Sequence, residues 1–160
     1  MIKADVDSTV KQLTELELVI KRKLERMVER FAEDVGRKAI DNTPIGDAVT
    51  YAERYRQRFE QDGLRPVAGF ARGSWRYAVN ESPMLQEYYS GSLALDGIKG
   101  AVNFYKLGQK FYITNSGPYI AGLEAGVGSK QQAPDGIKQP TLEQVQAVYR
   151  ADLPRYYKES

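Results

Sequence analysis

Apolar residues near the N-terminus recur with a helical period. Leu13, Leu16, Ile20, Leu24, Met27, Phe31 and Val35 follow one another at steps of three, four, four, three, four and four. A helix with 3.6 residues per turn gathers such positions into one stripe, which Val28, Ala32 and Ala39 widen. Asp7, Ser8 or Thr9 offers a short side-chain oxygen to cap the start. Arg37 and Lys38 suit the negative end of the helix dipole, and Asn42-Thr43-Pro44 stops the run. The spacing predicts one long helix over 10–41, close to 50 Å in length at about 1.5 Å per residue. Two readings fit this length: part of the helix projects and packs on neighbouring subunits, or all of it lies along a sheet. Its polar positions, among them Glu17, Lys21, Glu33 and Arg37, pair opposite charges along a solvated face. A carboxylate metal site here would need acids from other helices, which the rest of the chain is not expected to supply.

Period and punctuation change after Pro44. Residues 45–72 form an arginine-rich excursion in which Tyr51, Tyr55 and Phe59 would share one face of two or three helical turns. Pro66, Gly69 and Gly73 mark the following stretch, 64–73, as loop. Tyr51, Arg54, Tyr55, Arg56, Arg58, Arg65 and Arg72 are candidate subunit-interface residues, because Arg and Tyr are enriched at protein interfaces. The same mixture can grip phosphates and bases, so a nucleic-acid-binding module over 51–76 is the alternative, and a solvated loop is a third reading.

Residues 73–115 predict an antiparallel sheet of three or four strands. Ser74-Trp75-Arg76-Tyr77-Ala78-Val79 alternates large and polar side chains, and 85–90 is either strand or loop. Residues 100–105 and 110–115 flank Lys106-Leu107-Gly108-Gln109 and predict a hairpin. Over 118–153 a short helix follows, with Pro118 near its start and Gly126 just past its end. After a Gly- and Gln-rich loop, Thr141-Leu142-Glu143-Gln144 opens a last helix as a capping box, and Pro154 ends it. Its stripe is Leu142, Val145, Val148 and Tyr149. The fold class is α+β, a single domain over 1–160: a long N-terminal helix packed on a small antiparallel sheet, with a short helix and a C-terminal helix.

Composition narrows the chemistry. The 160 residues contain no Cys and no His, so disulfides, thiolate zinc sites, Ser-His-Asp triads and HExxH sites are excluded. Net charge is +2 from 23 basic and 21 acidic residues, too balanced to announce nucleic-acid binding. Eleven Tyr against five Phe suit a sheet with one wet face or a protein interface. Gly126-Val127-Gly128-Ser129-Lys130 lacks the order of a phosphate-binding P-loop. Glu124 is the best single carboxylate but has no partner acid, so it is expected to cap or pair locally; a hydrolase using it with Tyr or Lys stays as a weaker reading. No leader segment and no apolar run of membrane-spanning length is visible, which places the chain in the cytoplasm or in a particle assembled there, and leaves the Asn80-Glu81-Ser82 sequon without meaning.

A family resemblance enters through the order of several short motifs. Phe111-Tyr112-Ile113-Thr114-Asn115 is followed by Pro118-Tyr119-Ile120, Leu123-Glu124-Ala125-Gly126 and Gln132-Ala133-Pro134-Asp135-Gly136. Upstream, a long helix ends in Asn42-Thr43-Pro44 and Arg72-Gly73-Ser74-Trp75 starts a strand. In this order and spacing, over roughly 10–150, the chain resembles the neck or tail-completion proteins of tailed bacteriophages, also described as minor tail or head–tail joining proteins. It departs from them in the long interval between Ile45 and Arg72 and in Ile120, where a small residue is usual. The resemblance implies a non-enzymatic virion protein without cofactors. It implies a homo-oligomeric ring, six- or twelve-fold, set between head-completion or adaptor proteins and the tail terminator or tail tube. DNA would pass through its channel without sequence-specific binding, with no membrane involved. Such a ring needs two different surfaces on each subunit. Trp75, Tyr119 and Leu123 are expected in or beside the core.

Overall fold

A computed structural model of the chain describes residues 6–45, 57, 60–61, 70–81, 91–115, 117, 120–126 and 133–158, the backbone alone at 91–93, 95 and 153–158. In chain order, α1 is Val6–Asn42, α2 Phe70–Gly73, β1 Trp75–Val79, α3 Gly91–Val102, β2 Phe111–Asn115, α4 Ile120–Glu124 and α5 Lys138–Lys158. Gln57, Glu60 and Gln61 are helical as well. The architecture is α+β, as the periodicities require.

Helix α1 starts earlier than its expected caps, so Asp7 lies within the first turn, where the helix dipole favours a negative charge. Its C-terminal stop is tied down firmly. The Thr43 hydroxyl donates to Ala39 O at 2.5 Å and accepts the Trp75 indole N–H at 2.9 Å, both within the buried interior. Arg72 adds two bonds from outside, Nε to Thr43 O at 2.6 Å and an Nη to Asp41 O at 3.2 Å. A guanidinium on the last carbonyls of a helix meets both their free lone pairs and the dipole.

The sheet has two strands among the described residues, not three or four. β1 and β2 are antiparallel, with Trp75 opposite Asn115, Tyr77 opposite Ile113 and Val79 opposite Phe111. Trp75, Tyr77, Phe111 and Ile113 turn to the core, and Arg76, Ala78, Tyr112 and Thr114 form the other, half-exposed face. The expected hairpin is corrected. Its turn exists, closed by Gln109 N–H to Lys106 O at 3.0 Å, but the arm before it is the end of α3 and not a strand. Ala94, Ile98 and Val102 are all buried at four-residue spacing, a helical period, and Tyr105, expected in the sheet, is buried after the helix end. The stretch 70–73, expected as loop, is the short helix α2; the 85–90 segment lies outside the described residues.

The core joins the last third of α1 (Ala32, Ala39, Ile40) to Phe70, Ala71, Trp75, Ala94, Ile98, Val102, Leu123 and Ile137. Trp75 and Leu123 stand there as expected; Tyr119 lies outside the described residues. Gly36 lets α3 approach: a methyl at that position would run into Ile98 Cδ1 and lie 3.1 Å from Tyr77 Cε1. Helix α5 runs antiparallel to α1. Asn42 Nδ2 donates to Thr141 Oγ1 at 3.0 Å at one end, and Phe31 meets Tyr149 edge-to-face, centroids 4.9 Å apart, further along. α5 begins at Lys138, before the expected capping box, and Pro154 lies inside it. A proline removes one main-chain donor at a local cost and does not by itself forbid the next turn.

Candidate subunit interface

The stripe that predicts α1 is not the face that α1 buries. Ala32, Gly36, Ala39 and Ile40 are buried, and on a helical wheel they lie about a third of a turn from the line through Leu13, Ile20 and Phe31. Small residues face α3, where the backbones come close. The large ones face another way. The lower end of the stripe, Phe31 and Val35, is partly covered by α5. Counting back from the Phe31–Tyr149 contact, the end of α5 is level with about residue 22 of α1, at equal rise per residue in both helices.

Every residue of 6–22 is exposed. This leaves roughly 25 Å of helix projecting beyond the body. Leu13 is 61%, Leu16 54% and Ile20 48% exposed, and Val6, Val10, Leu18, Val19 and Leu24 join them. Leu107, on the turn before β2, extends this surface sideways. It lines an open groove of about 370 Å³ with Leu13, Leu16, Glu17, Ile20, Lys21 and Leu24. Its N–H is held by the Glu25 carboxylate at 3.2 Å. Neighbouring Phe104 is 77% exposed. Exposed apolar surface of this extent is uncommon on a monomeric protein.

Charge is unevenly distributed along the projecting stretch. Its first part carries Asp7, Glu15 and Glu17 against Lys11; its last part carries Lys21, Arg22 and Lys23 in a row. The segment is apolar on one side and bipolar along its length.

Glu124 is fully engaged in structure. Its carboxylate accepts the N–H groups of Lys138 at 2.9 Å and Ile137 at 3.4 Å, and so caps α5 in place of the expected box at Thr141. Thr141 is buried and serves the α1–α5 contact instead. Gly126 and Gly136 make this corner possible: both have positive φ (65° and 74°), and a Cβ would lie 2.7 Å from Pro134 O and 2.8 Å from Glu124 O respectively. Gly126 ends α4 as its spacing predicts, with its N–H on Leu123 O. Asn115 at the end of β2 reaches Ala71 O at 2.8 Å and accepts the Gly117 N–H at 3.0 Å, tying the strand to α2. Between α1, the sheet, α4 and α5 opens an apolar cleft of about 520 Å³, with Val35, Trp75, Ile113, Ile120 and Leu142 in its walls.

Of the predicted interface residues, Arg72 is half-buried and directed at the end of α1. Tyr51, Arg54, Tyr55, Arg56, Arg58 and Arg65 lie outside the described residues, as do Pro118 and residues 127–130. Sequence reasoning on single residues missed Val6, Val10, Phe104 and Leu107. The two valines carry a legible signal, since they continue the α1 stripe at helical spacing. Phe104 carries none, having been assigned to a strand.

Among the described residues no group of three or more acidic side chains is placed to hold a metal ion, and no helix is long and apolar enough to cross a membrane. No family model, no curated protein and no solved structure matches the chain.

Proposed function

We propose that this chain is a structural virion subunit of a tailed-bacteriophage neck. In this role it joins the portal or head-completion assembly to the tail, as part of a homo-oligomeric ring around the DNA path, and catalyses nothing. The observation that carries the reading is the projecting part of α1. An apolar face of this length, held at its far end by Thr43, Trp75 and Arg72, is built to be covered by protein. A ring of identical subunits needs two unlike patches, and the apolar cleft between α4 and α5 is one such surface on the body. The motif residues that carry the resemblance, Asn115, Glu124, Gly126 and Gly136, work as a structural corner, which suits a scaffold. The nucleic-acid reading rests on the arginines of 51–76. The two of them that are described bond main-chain carbonyls of their own chain, Arg72 on α1 and Arg76 on Gly73 and Trp75.

The test is a phage carrying a nonsense mutation in this gene. Full heads and complete tails accumulating unjoined, with joining restored by purified chain, is the expected result. Normal infectious particles in its absence would overturn the assignment.

A further inference from the structure

From the projecting segment of α1 we infer that two copies of this chain pair with each other, their helices antiparallel over 6–24. The apolar positions there have a stricter pattern than a 3.6-residue stripe. Val6, Val10, Leu13, Glu17, Ile20, Leu24, Met27 and Phe31 alternate steps of four and three, the heptad spacing of a helix–helix seam. Six of these eight are large exposed apolar side chains, and none of those within 6–24 has a partner element in the fold. The one charged member, Glu17, decides against parallel pairing. Two parallel copies in register would set Glu17 against Glu17 in the middle of the seam.

Antiparallel pairing does the reverse. The acidic start of one helix, with Asp7, then lies along the basic part of the other, with Lys21 and Lys23, and each Glu17 lies beside a leucine. The body sets the register. Its cover over α1 begins near Lys23, so the register that pairs the whole bare stretch with itself sets Val6 of one copy at about Leu24 of the other. Val6 then faces Leu24, Val10 faces Ile20 and Leu13 lies beside Glu17 across the two-fold axis. On the flank, Asp7 of each copy comes opposite Lys21 of the other. Glu17 in the seam weakens the pair, as a polar residue at such a position does, while holding this register. The inference stands whether or not the chain belongs to a phage neck.

The experiment is sedimentation velocity of the full chain over about 1–100 µM, with four variants. Wild type is expected to move from 18.0 kDa toward twice that mass as concentration rises. Leu13→Glu, at a position already exposed in the fold, should leave the far-ultraviolet circular dichroism of the body unchanged and abolish the dimer. Asp7→Lys and Lys21→Asp should each raise the dissociation constant several-fold, and the double variant Asp7→Lys/Lys21→Asp should restore it. That rescue is specific to the antiparallel register, because parallel copies never bring these two residues together. A chain that stays monomeric throughout, a dimer indifferent to Leu13→Glu, or single variants that the double variant does not rescue would overturn the pairing. Cross-linking of the α1 face of a monomeric chain to a different protein would overturn it too, and assign the face to that partner.

Discussion

Three side chains around the core carry most of what can be tested at the level of single residues. Gly36 is the point where α1 and α3 touch. Alanine is a better helix former by about 1 kcal/mol, but its methyl would collide with Ile98, which is fully buried and has little room to move. We expect Gly36→Ala to destabilise the fold by roughly 1–2 kcal/mol net, as measured by urea unfolding. Thr43 holds Trp75 and the end of α1 together. Thr43→Val leaves the indole N–H buried without an acceptor, and should cost about 1–3 kcal/mol in the same assay. Tyr77 lies in the core, its hydroxyl without a hydrogen-bond partner among the described residues. Burial pushes this hydroxyl up from its ordinary value of 10.0, with the Arg76 charge opposing in part. Above about pH 10 the unfolded chain has lost this proton and the folded chain keeps it. The native state then binds more protons, so stability falls as pH rises. Tyr77→Phe should be neutral or slightly stabilising at pH 7, and should flatten the loss of stability measured between pH 9.5 and 11.5 (approximate bounds, set by the ordinary tyrosine value).

At the scale of elements, α5 depends on a cap supplied from elsewhere in the chain. Glu124→Ala removes the acceptor for the first N–H groups of α5 and should cost about 1 kcal/mol, while Glu124→Gln should lose less, since its amide oxygen still accepts. The capping box in the sequence is real as a pattern, yet Thr141 is taken by Asn42 across the α1–α5 contact. A local signal lost to a tertiary one. The same happened over 100–105. Val102, Phe104 and Tyr105 suggest a strand, and Gly97 and Gly100 lower the helical signal, but Ala94, Ile98 and Val102 reach the core together only in a helix, with Ile98 set against Gly36. Helix α1, the strand 75–79, the turn at 106–109 and the Gly126 stop were legible because each is written in consecutive residues. The α1–α3 packing was not, since it depends on a glycine far from the residues it admits. The candidate interface was half legible. The stripe is plain in the sequence, whereas the fact that α3 takes the small-residue face and leaves the stripe bare emerges only from the packing.

For the whole molecule, a packed body grips α1 from about Lys23 onward and leaves 6–22 outside. Nothing within the described residues covers that length, and the near-neutral net charge of +2 offers no general attraction to DNA. Hydrogen exchange should separate the two parts. Amides of 6–22 in the dilute chain should exchange far faster than those of α3, and become protected when the chain assembles. The most direct measurement is cross-linking mass spectrometry of purified virions with a lysine-reactive reagent. The account predicts that the chain is present and that Lys11, Lys21 and Lys23 link to a second copy or to another neck protein. Absence of the chain from the particles, or these lysines linking within their own subunit alone, would contradict it.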